Sequence, residues 1–401
     1  MTIEGSDQAV TSRRLRLGMV GGGQGAFIGA VHRIAARIDD RYELVAGALS
    51  SDAERAKASA AELGIAPDRA YGDFREMAEK EAARDDGIDA VAIVTPNHVH
   101  HAAAKAFLEA GIHVICDKPL TTTLEDALDL AQAVETSGLV FGLTHNYTGY
   151  PMVRQARAMV AAGELGTIRV VQAEYPQDWL TEKAEDTGLK QAEWRTDPAR
   201  SGAGGCIGDI GTHAFNLAEF VTGLELETLC ADLTTFVPGR QLDDNVHVML
   251  RFKGGAKGLL WSSQVAPGNE NALRLRVYGD KGGLSWSQED PNYLHFSPFG
   301  EPTRLITRGG AGSGEAAGRV TRIPPGHPEG YLEGFANIYS DVAEAITARI
   351  ENRDADPAAL DYPGVQEGVR GVAFITAAVA SSAQGGAWVA MSTTASAAAA
   401  E

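Results

Sequence analysis

The sequence predicts an α/β protein: a doubly wound parallel sheet in the first third of the chain, then an α+β unit on a mostly antiparallel open sheet. Three observations carry this. Up to about residue 145, short and nearly uninterrupted apolar runs alternate with helical patterns, and strands without polar alternation are those buried on both faces. Beyond that point, strand-like runs follow one another across Gly-Asp, Gly-Gly and Pro-Gly turns, as hairpins do. The 401 residues, 44% of them hydrophobic, suffice for two cores of ordinary size.

The first strand is LRLGMVG, ending in glycine. YELVAGAL, IDAVAIVT, IHVICD and LVFGLT supply four more. Between them lie the helical patterns DAERAKASAAELG, VHHAAAKAFLEAG and TLEDALDLAQAVETSG. The last is preceded by Thr122 and Thr123 and closed by Gly138, a hydroxyl cap at the start and a left-handed stop at the end. This alternation gives a Rossmann-type domain over residues 14–145. The second domain, 146–390, starts with a helix from Met152 to Ala162 and the strand TIRVVQAEY. A glycine-rich turn and a helix near Cys206 to Phe220 follow, then the strands LETLCADLTTFV, NVHVMLRF, KGLLWSSQVA and LRLRVYG. Arg308 to Gly330 is irregular, and helices at Gly330 to Arg349 and Pro363 to Gln384 finish the fold. The N-terminal residues are expected to form a loose arm and the closing STTASAAAAE a frayed tail.

A formal net charge of −18 excludes nucleic-acid and anionic-membrane partners, which require basic surface. No apolar run approaches the roughly 20 residues that span a bilayer. Arg13 and Arg14 suggest an export signal, but the apolar stretch after them enters a glycine cluster without a cleavage site, so a cytoplasmic protein is expected. Cys116, Cys206 and Cys230 show no metal or redox spacing. The expectation is no metal site and no disulfide framework.

Chemistry concentrates in three segments. GGGQGAFIGAVH, Gly21 to His32, lies between the first strand and the first helix. Gly21 suits a tight turn, Gly23 a close approach to pyrophosphate, and Gly29 close packing of the helix, whose N-terminus favours anions. Three extra residues separate Gly23 from Gly29 relative to the standard fingerprint, so a plain glycine-rich connector is the competing reading. The second segment is TPNHVHHAAAKAFLEAGIHVICDKPL, Thr95 to Leu120. Its Lys118 follows a buried strand, at the carboxyl end where doubly wound sheets bind ligands. An ammonium there can polarise a substrate hydroxyl. The third is GAGGCIGDIGTHAFNLAEF, Gly202 to Phe220. On a helix, Asp209 and His213 share a face, and a carboxylate beside a histidine orients it and supports its charged form.

The second and third segments together resemble the Gfo/Idh/MocA family of oxidoreductases. Thr95, Pro96, Asn97 and His100, then Ala110, Gly111, His113 and Val114, then Asp117-Lys118-Pro119 follow its first pattern. Asp117 stands where the family has glutamate, one methylene longer. Gly204 to His213 follows the family's G-G-x-x-x-D-x-G-x-H signature. The resemblance extends over roughly 15–385 and implies a catalytic group of Lys118, Asp209 and His213. It implies cofactor contacts at Gly21, Gly23, Gln24, Gly29, Ser50, Thr95, Asn97, His100, Asp117 and Lys118. Asn146, Tyr147, Trp194 and Arg195, with Lys118, Asp209 and His213, are the expected substrate contacts; Tyr150 is a further candidate, and interdomain packing is the alternative role for the aromatics. His327 is either a lid residue or part of a passive connector.

The implied activity is hydride transfer between NAD or NADP and a secondary hydroxyl or keto carbon of a sugar, glycoside or cyclitol. Ser50 ends the second strand where NAD-binding folds carry an acid. Arg55 and Asp52 lie close by, so both cofactors are expected to bind, NAD slightly better. Two other functions compete: an NAD-dependent glycosidase working by transient oxidation, and a non-enzymatic dinucleotide-binding regulator, which has no need of all three catalytic-type residues. The family's open sheet face and the apolar residues on both faces of KGLLWSSQVA predict a homodimer or homotetramer.

Overall fold

Apolar runs with no polar alternation form the first sheet of the computed structural model, which describes residues 13–394. The expected arm and tail fall mainly on 1–12 and 395–401, outside the described residues. Strands β1 (Leu15–Gly21), β2 (Tyr42–Ala48), β3 (Ala90–Val94), β4 (His113–Cys116) and β5 (Phe141–Leu143) pair in parallel in the order β2-β1-β3-β4-β5. Every residue of β3 is buried. Helices α1 (Phe27–Ile38), α2 (Ala53–Glu62), α3 (Phe74–Ala82), α4 (His100–Glu109) and α5 (Leu124–Ser137) make the crossovers. Helix α5 has the expected ends: the Thr123 side chain accepts from the Asp126 amide, and Gly138 closes it at φ +61°. The chain reverses its winding between β1 and β3, so the turns after these strands open on one crevice, where such sheets take ligands.

After α6 (Pro151–Ala161) and β6 (Ile168–Pro176), the short helices α7 (Lys190–Arg195) and α8 (Pro198–Ser201) lead to a π-helical turn, Ile207–Gly211, which runs into α9 (Thr212–Thr222). Strands β7 (Leu226–Thr234), β8 (Asn245–Phe252), β9 (Lys257–Ser263), β10 (Arg274–Gly279), β11 (Gly282–Ser287), β12 (Tyr293–Pro298) and β13 (Arg304–Thr307) follow. Helices α10 (Glu315–Gly318), α11 (Tyr331–Ile350) and α12 (Val365–Ala383) precede a short final strand, β14 (Val389–Ala390). The second sheet runs β13-β12-β11-β10-β6-β9-β8-β7-β14, antiparallel except for the parallel pair β6–β9. The sequence pattern predicts no strand over 282–307. Gly282-Gly283 and the short, mixed runs beyond them have turn-like composition, and it is pairing onto β10 that makes them strands.

One face of the large sheet is buried: Val246, Val248, Leu250, Leu260 and Leu275 join Phe215 and Phe374 from α9 and α12 in one core. On the other face Met249 and Leu259 stand opposite each other and half exposed. The two final long helices do not belong to the large sheet alone. Phe335, Ile338 and Val342 of α11 pack with Leu17, Met19 and Ala92 of the first sheet, and Val369 and Val372 of α12 with Val114 and Phe141. Among the described residues, no helix is long and apolar enough to cross a membrane.

Candidate active site

The crevice between the two units is a cavity of about 1320 Å³ that runs from the glycine turn after β1 to the start of α9. At one end, Gly21 has φ +78°, and a Cβ there would meet the Val94 carbonyl at 2.8 Å. Gly29 admits the Gly22 backbone, which would lie 2.4 Å from a Cβ. Gly29 is therefore a packing contact between α1 and the turn, and it does not line the cavity. Gly23 and Gln24 do line it. Their backbone N–H groups donate to the Leu49 carbonyl (3.1 Å) and the Ser59 hydroxyl (3.1 Å), and the Gln24 side chain binds Glu62. Among the described residues, no side chain caps the N-terminus of α1, and a helix start of this kind suits an anion.

Ser50 lines the cavity at the end of β2, with Arg55 beyond it. Asp52 turns away: its carboxylate accepts the Arg55 amide at 2.8 Å and caps α2. From the turn after β3, Thr95 and Asn97 reach the cavity. His100 does not. Its ring is fully buried, with Nδ1 2.8 Å from the Pro119 carbonyl and Nε2 2.9 Å from the Thr95 carbonyl. The expected cofactor contact at His100 is corrected to a tie between two cavity-lining turns, because both ring nitrogens are occupied by backbone.

The Lys118–Pro119 peptide is cis. Asp117 lies at the cavity and accepts from the Lys118 amide (3.0 Å) and the Thr144 hydroxyl (2.9 Å). The Lys118 ammonium donates to the Asp209 backbone carbonyl and to its carboxylate, Oδ1, at 3.2 Å. An ammonium has three donors, so one remains for a ligand. The other carboxylate oxygen, Oδ2, accepts from Arg195 Nε (3.1 Å) and Gln264 Nε2 (2.9 Å). Burial alone would raise the Asp209 carboxyl. The charges of Arg195 and Lys118 outweigh it and hold the group well below the usual carboxylate range.

His213 lines the same cavity. It is not paired with Asp209, contrary to the expectation from their four-residue spacing. Two cations and an amide offer the carboxylate stronger partners than a neutral imidazole can, and the π turn re-aims residue 209 relative to α9, as π turns at functional sites commonly do. Instead His213 packs edge-on against Tyr147 (4.9 Å between centroids) and His145 (5.3 Å). Burial, then the charge of Lys118, pushes its pKa well below that of an ordinary histidine. This favours the neutral imidazole, and among the described residues its buried Nδ1 has no hydrogen-bond partner.

Asn146 and Tyr147 are brought to the cavity beside His213. The Asn146 Nδ2 is another buried donor with no partner among the described residues, while Tyr147 exchanges a 2.5 Å hydrogen bond with Tyr175, whose hydroxyl donates to Asn271 (2.7 Å). Tyr150 does not line the cavity and packs on Trp286. Trp194 lies on the cavity wall with the Arg195 guanidinium stacked 4.2 Å from its ring. His327 is exposed in the connector. Gln264, His145, Tyr175 and Asn271 carry no sequence motif; among them only His145 is foreshadowed, by its neighbours in the aromatic-polar THNYTGY.

The orphaned polar atoms and the glycine cradle fit a dinucleotide with a hydroxylated substrate. Comparison with known proteins agrees. Residues 15–145 match the model described as an oxidoreductase family with an NAD-binding Rossmann fold, and 153–285 match the GFO/IDH/MocA C-terminal domain. The crystal structure of an oxidoreductase from Sinorhizobium meliloti is 62% identical, with a TM-score of 0.86, covering 94% of this chain and 100% of that one. An inositol dehydrogenase homologue from Azotobacter vinelandii, solved with NADH and myo-inositol, is 38% identical with a TM-score of 0.88, covering 94% and 98%. The levoglucosan dehydrogenase of Pseudarthrobacter phenanthrenivorans is 30% identical over 69% of this chain and 74% of its own length.

Proposed function

This chain belongs to the Gfo/Idh/MocA family of oxidoreductases, and on that premise we propose that it transfers a hydride between NAD(P) and a secondary hydroxyl or keto carbon of a sugar, glycoside or cyclitol. The observation that carries the reading is the meeting of Lys118, Asp209 and His213 in one cavity with the glycine turn. The bound nicotinamide would supply the hydride acceptor or donor. Gly21 to Gln24, the free N–H groups of α1, Ser50, Thr95, Asn97 and Asp117 would hold the cofactor. Asn146, Tyr147, Trp194 and Arg195 would hold the substrate, the aromatic face on its C–H surface and the polar groups on its hydroxyl rim.

Lys118 acts on the reacting oxygen. Its remaining N–H donor polarises the substrate hydroxyl while Asp209 fixes the ammonium from the opposite side. His213 is kept neutral by its surroundings, the form that accepts a proton. In oxidation it takes the hydroxyl proton as C–H cleavage begins; in reduction it returns one. Asp209 is a positioning residue in this scheme: it sets the place and charge of Lys118 and does not orient His213. We further propose a cytoplasmic homodimer or homotetramer.

A panel of sugars and cyclitols, followed by NADH and NADPH absorbance, tests the reading. Reduction of either cofactor by at least one of them is the expected result. Release of phenol from an aryl glycoside with no net NADH would replace this function by glycoside cleavage.

A further inference from the structure

Five cationic side chains line the cavity: Arg55, Lys118, Lys190, Arg195 and Arg200. Lys118 and Arg195 are committed to Asp209, and Arg55 and Lys190 are exposed. Arg200 differs from all four. It is half-buried, and among the described residues its guanidinium meets neither a carboxylate nor any other hydrogen-bond acceptor. Partial burial of an unpaired cation is costly, and a guanidinium carries a planar set of donors matched to phosphate oxygens.

Its place in the fold is the crevice that the glycine turn also lines. Arg200 lies on α8, whose first turn is capped by Asp197 at 2.9 Å. The helix is docked on the turn after β3 by the Asn97 side chain, which donates to the Ser201 carbonyl at 3.0 Å. The next residue, Gly202, lies against Thr122, a Cβ there meeting the Thr122 carbonyl at 3.1 Å. A segment of the second half of the chain is thus seated on two loops of the first sheet, at the crevice that also receives the uncapped start of α1.

Resting on the dinucleotide reading above, we propose that Arg200 is a ligand of the cofactor pyrophosphate. It supplies a charged donor from the second half of the chain to a phosphate site otherwise made of backbone N–H groups. The cofactor is then gripped from both sides, and its affinity depends on α8 staying docked through Asn97.

The test is binding, free of turnover. NADH is titrated by fluorescence and ADP by calorimetry against the wild-type chain, Arg200→Gln and Arg200→Lys. Loss of one charge-assisted contact should weaken both ligands by about 10- to 100-fold in Arg200→Gln, by the same factor for each because they share the pyrophosphate. Arg200→Lys should fall between, and the salt dependence of binding should flatten in Arg200→Gln. NADH and ADP binding within twofold of wild type in Arg200→Gln overturns the proposal. So does unchanged cofactor binding with a raised KM for the sugar, which assigns Arg200 to the substrate. A wild-type chain that binds neither NADH, NADPH nor ADP overturns the functional reading itself, and this proposal with it.

Discussion

The Lys118 ammonium stands 3.2 Å from the Asp209 carboxylate although 91 residues separate them along the chain. Neither segment makes the cluster alone: the strand β4 delivers the cation, the π turn before α9 the anion, and α7 and the end of β9 add Arg195 and Gln264 to the same carboxylate.

Lys118→Ala and His213→Ala should each lower turnover by roughly two to four decades, the usual size of a general acid–base contribution. NADH affinity, measured by fluorescence, should stay within about twofold. The double variant should lose less than the product of the single losses, since groups acting on one oxygen are not additive. Near-wild-type turnover of His213→Ala across the pH range would make this histidine structural and the mechanism wrong.

Asp209→Asn would be mild if the carboxylate merely oriented His213. The geometry predicts otherwise. The substitution leaves Lys118 and Arg195 sharing a neutral amide, so kcat should fall about 10- to 100-fold, the worth of a charge-assisted hydrogen bond. Gln264→Ala, which removes one neutral donor and no charge, should cost less. Steady-state kinetics of the two variants decide it, and equal losses would sink the idea that Asp209 works through charge.

Ser50 carries no charge to repel a 2′-phosphate, and Asp52, the nearest acid in sequence, is occupied as the cap of α2. Discrimination between NADH and NADPH should therefore stay under about a hundredfold. Ser50→Asp should shift it toward NADH by at least tenfold. Titration of both cofactors against both chains checks this, and an unmoved ratio removes Ser50 from the ribose subsite.

Buried histidines predict acid lability. Burial lowers His32 and His113 to about 4 and His145 to about 3, whereas in the unfolded chain each takes a proton near 6.5. The stability they contribute is present above pH 6.5 and is lost as pH falls from there toward 4. At pH 5 the loss is about 2 kcal/mol for each of them. Asp243 opposes it: burial raises its carboxyl to about 6, so the folded state gains a proton in the same window. Three histidines outweigh one carboxyl, and Tm should drop between pH 7 and pH 5. A flat or rising Tm over that range would contradict this account.

Met249 and Leu259 are 46% and 51% exposed on the open face of the large sheet, where an apolar cross-strand pair is better placed against a partner than against water. Light scattering at micromolar concentration should give a dimer or tetramer mass. The double substitution Met249→Asp, Leu259→Asp should shift it to monomer. A wild-type monomer would remove the assembly proposal.

The first sheet was legible strand by strand because continuous apolar strands and capped helices are local signals: Thr123 and Gly138 mark the ends of α5 in sequence and in space. In the cluster around Asp209, Lys118 and Arg195 were legible as residues but not as contacts, and Gln264 was not legible at all. A four-residue spacing pointed to His213, whereas the partners are Lys118, Arg195 and Gln264, which only the packing of distant elements brings together. His100 misleads for the same reason: the motif marks the residue, but the ring points into the protein. Strands β11 to β13 escaped notice because their own composition favours turns and their neighbour β10 organises them.

Helices α11 and α12 cover the sheet that the first third of the chain begins, and the Leu143 amide at the end of β5 donates to the Pro363 carbonyl just before α12. The ribosome delivers these helices after the whole of the first sheet. Until residues near 383 emerge, the apolar faces of Leu17, Ala92, Val114 and Phe141 lack the cover that α11 and α12 give them in the folded chain. Folding of the first sheet is thereby coupled to the helices that follow it, and a nascent chain halted near residue 145 should expose this apolar surface to chaperones and aggregation.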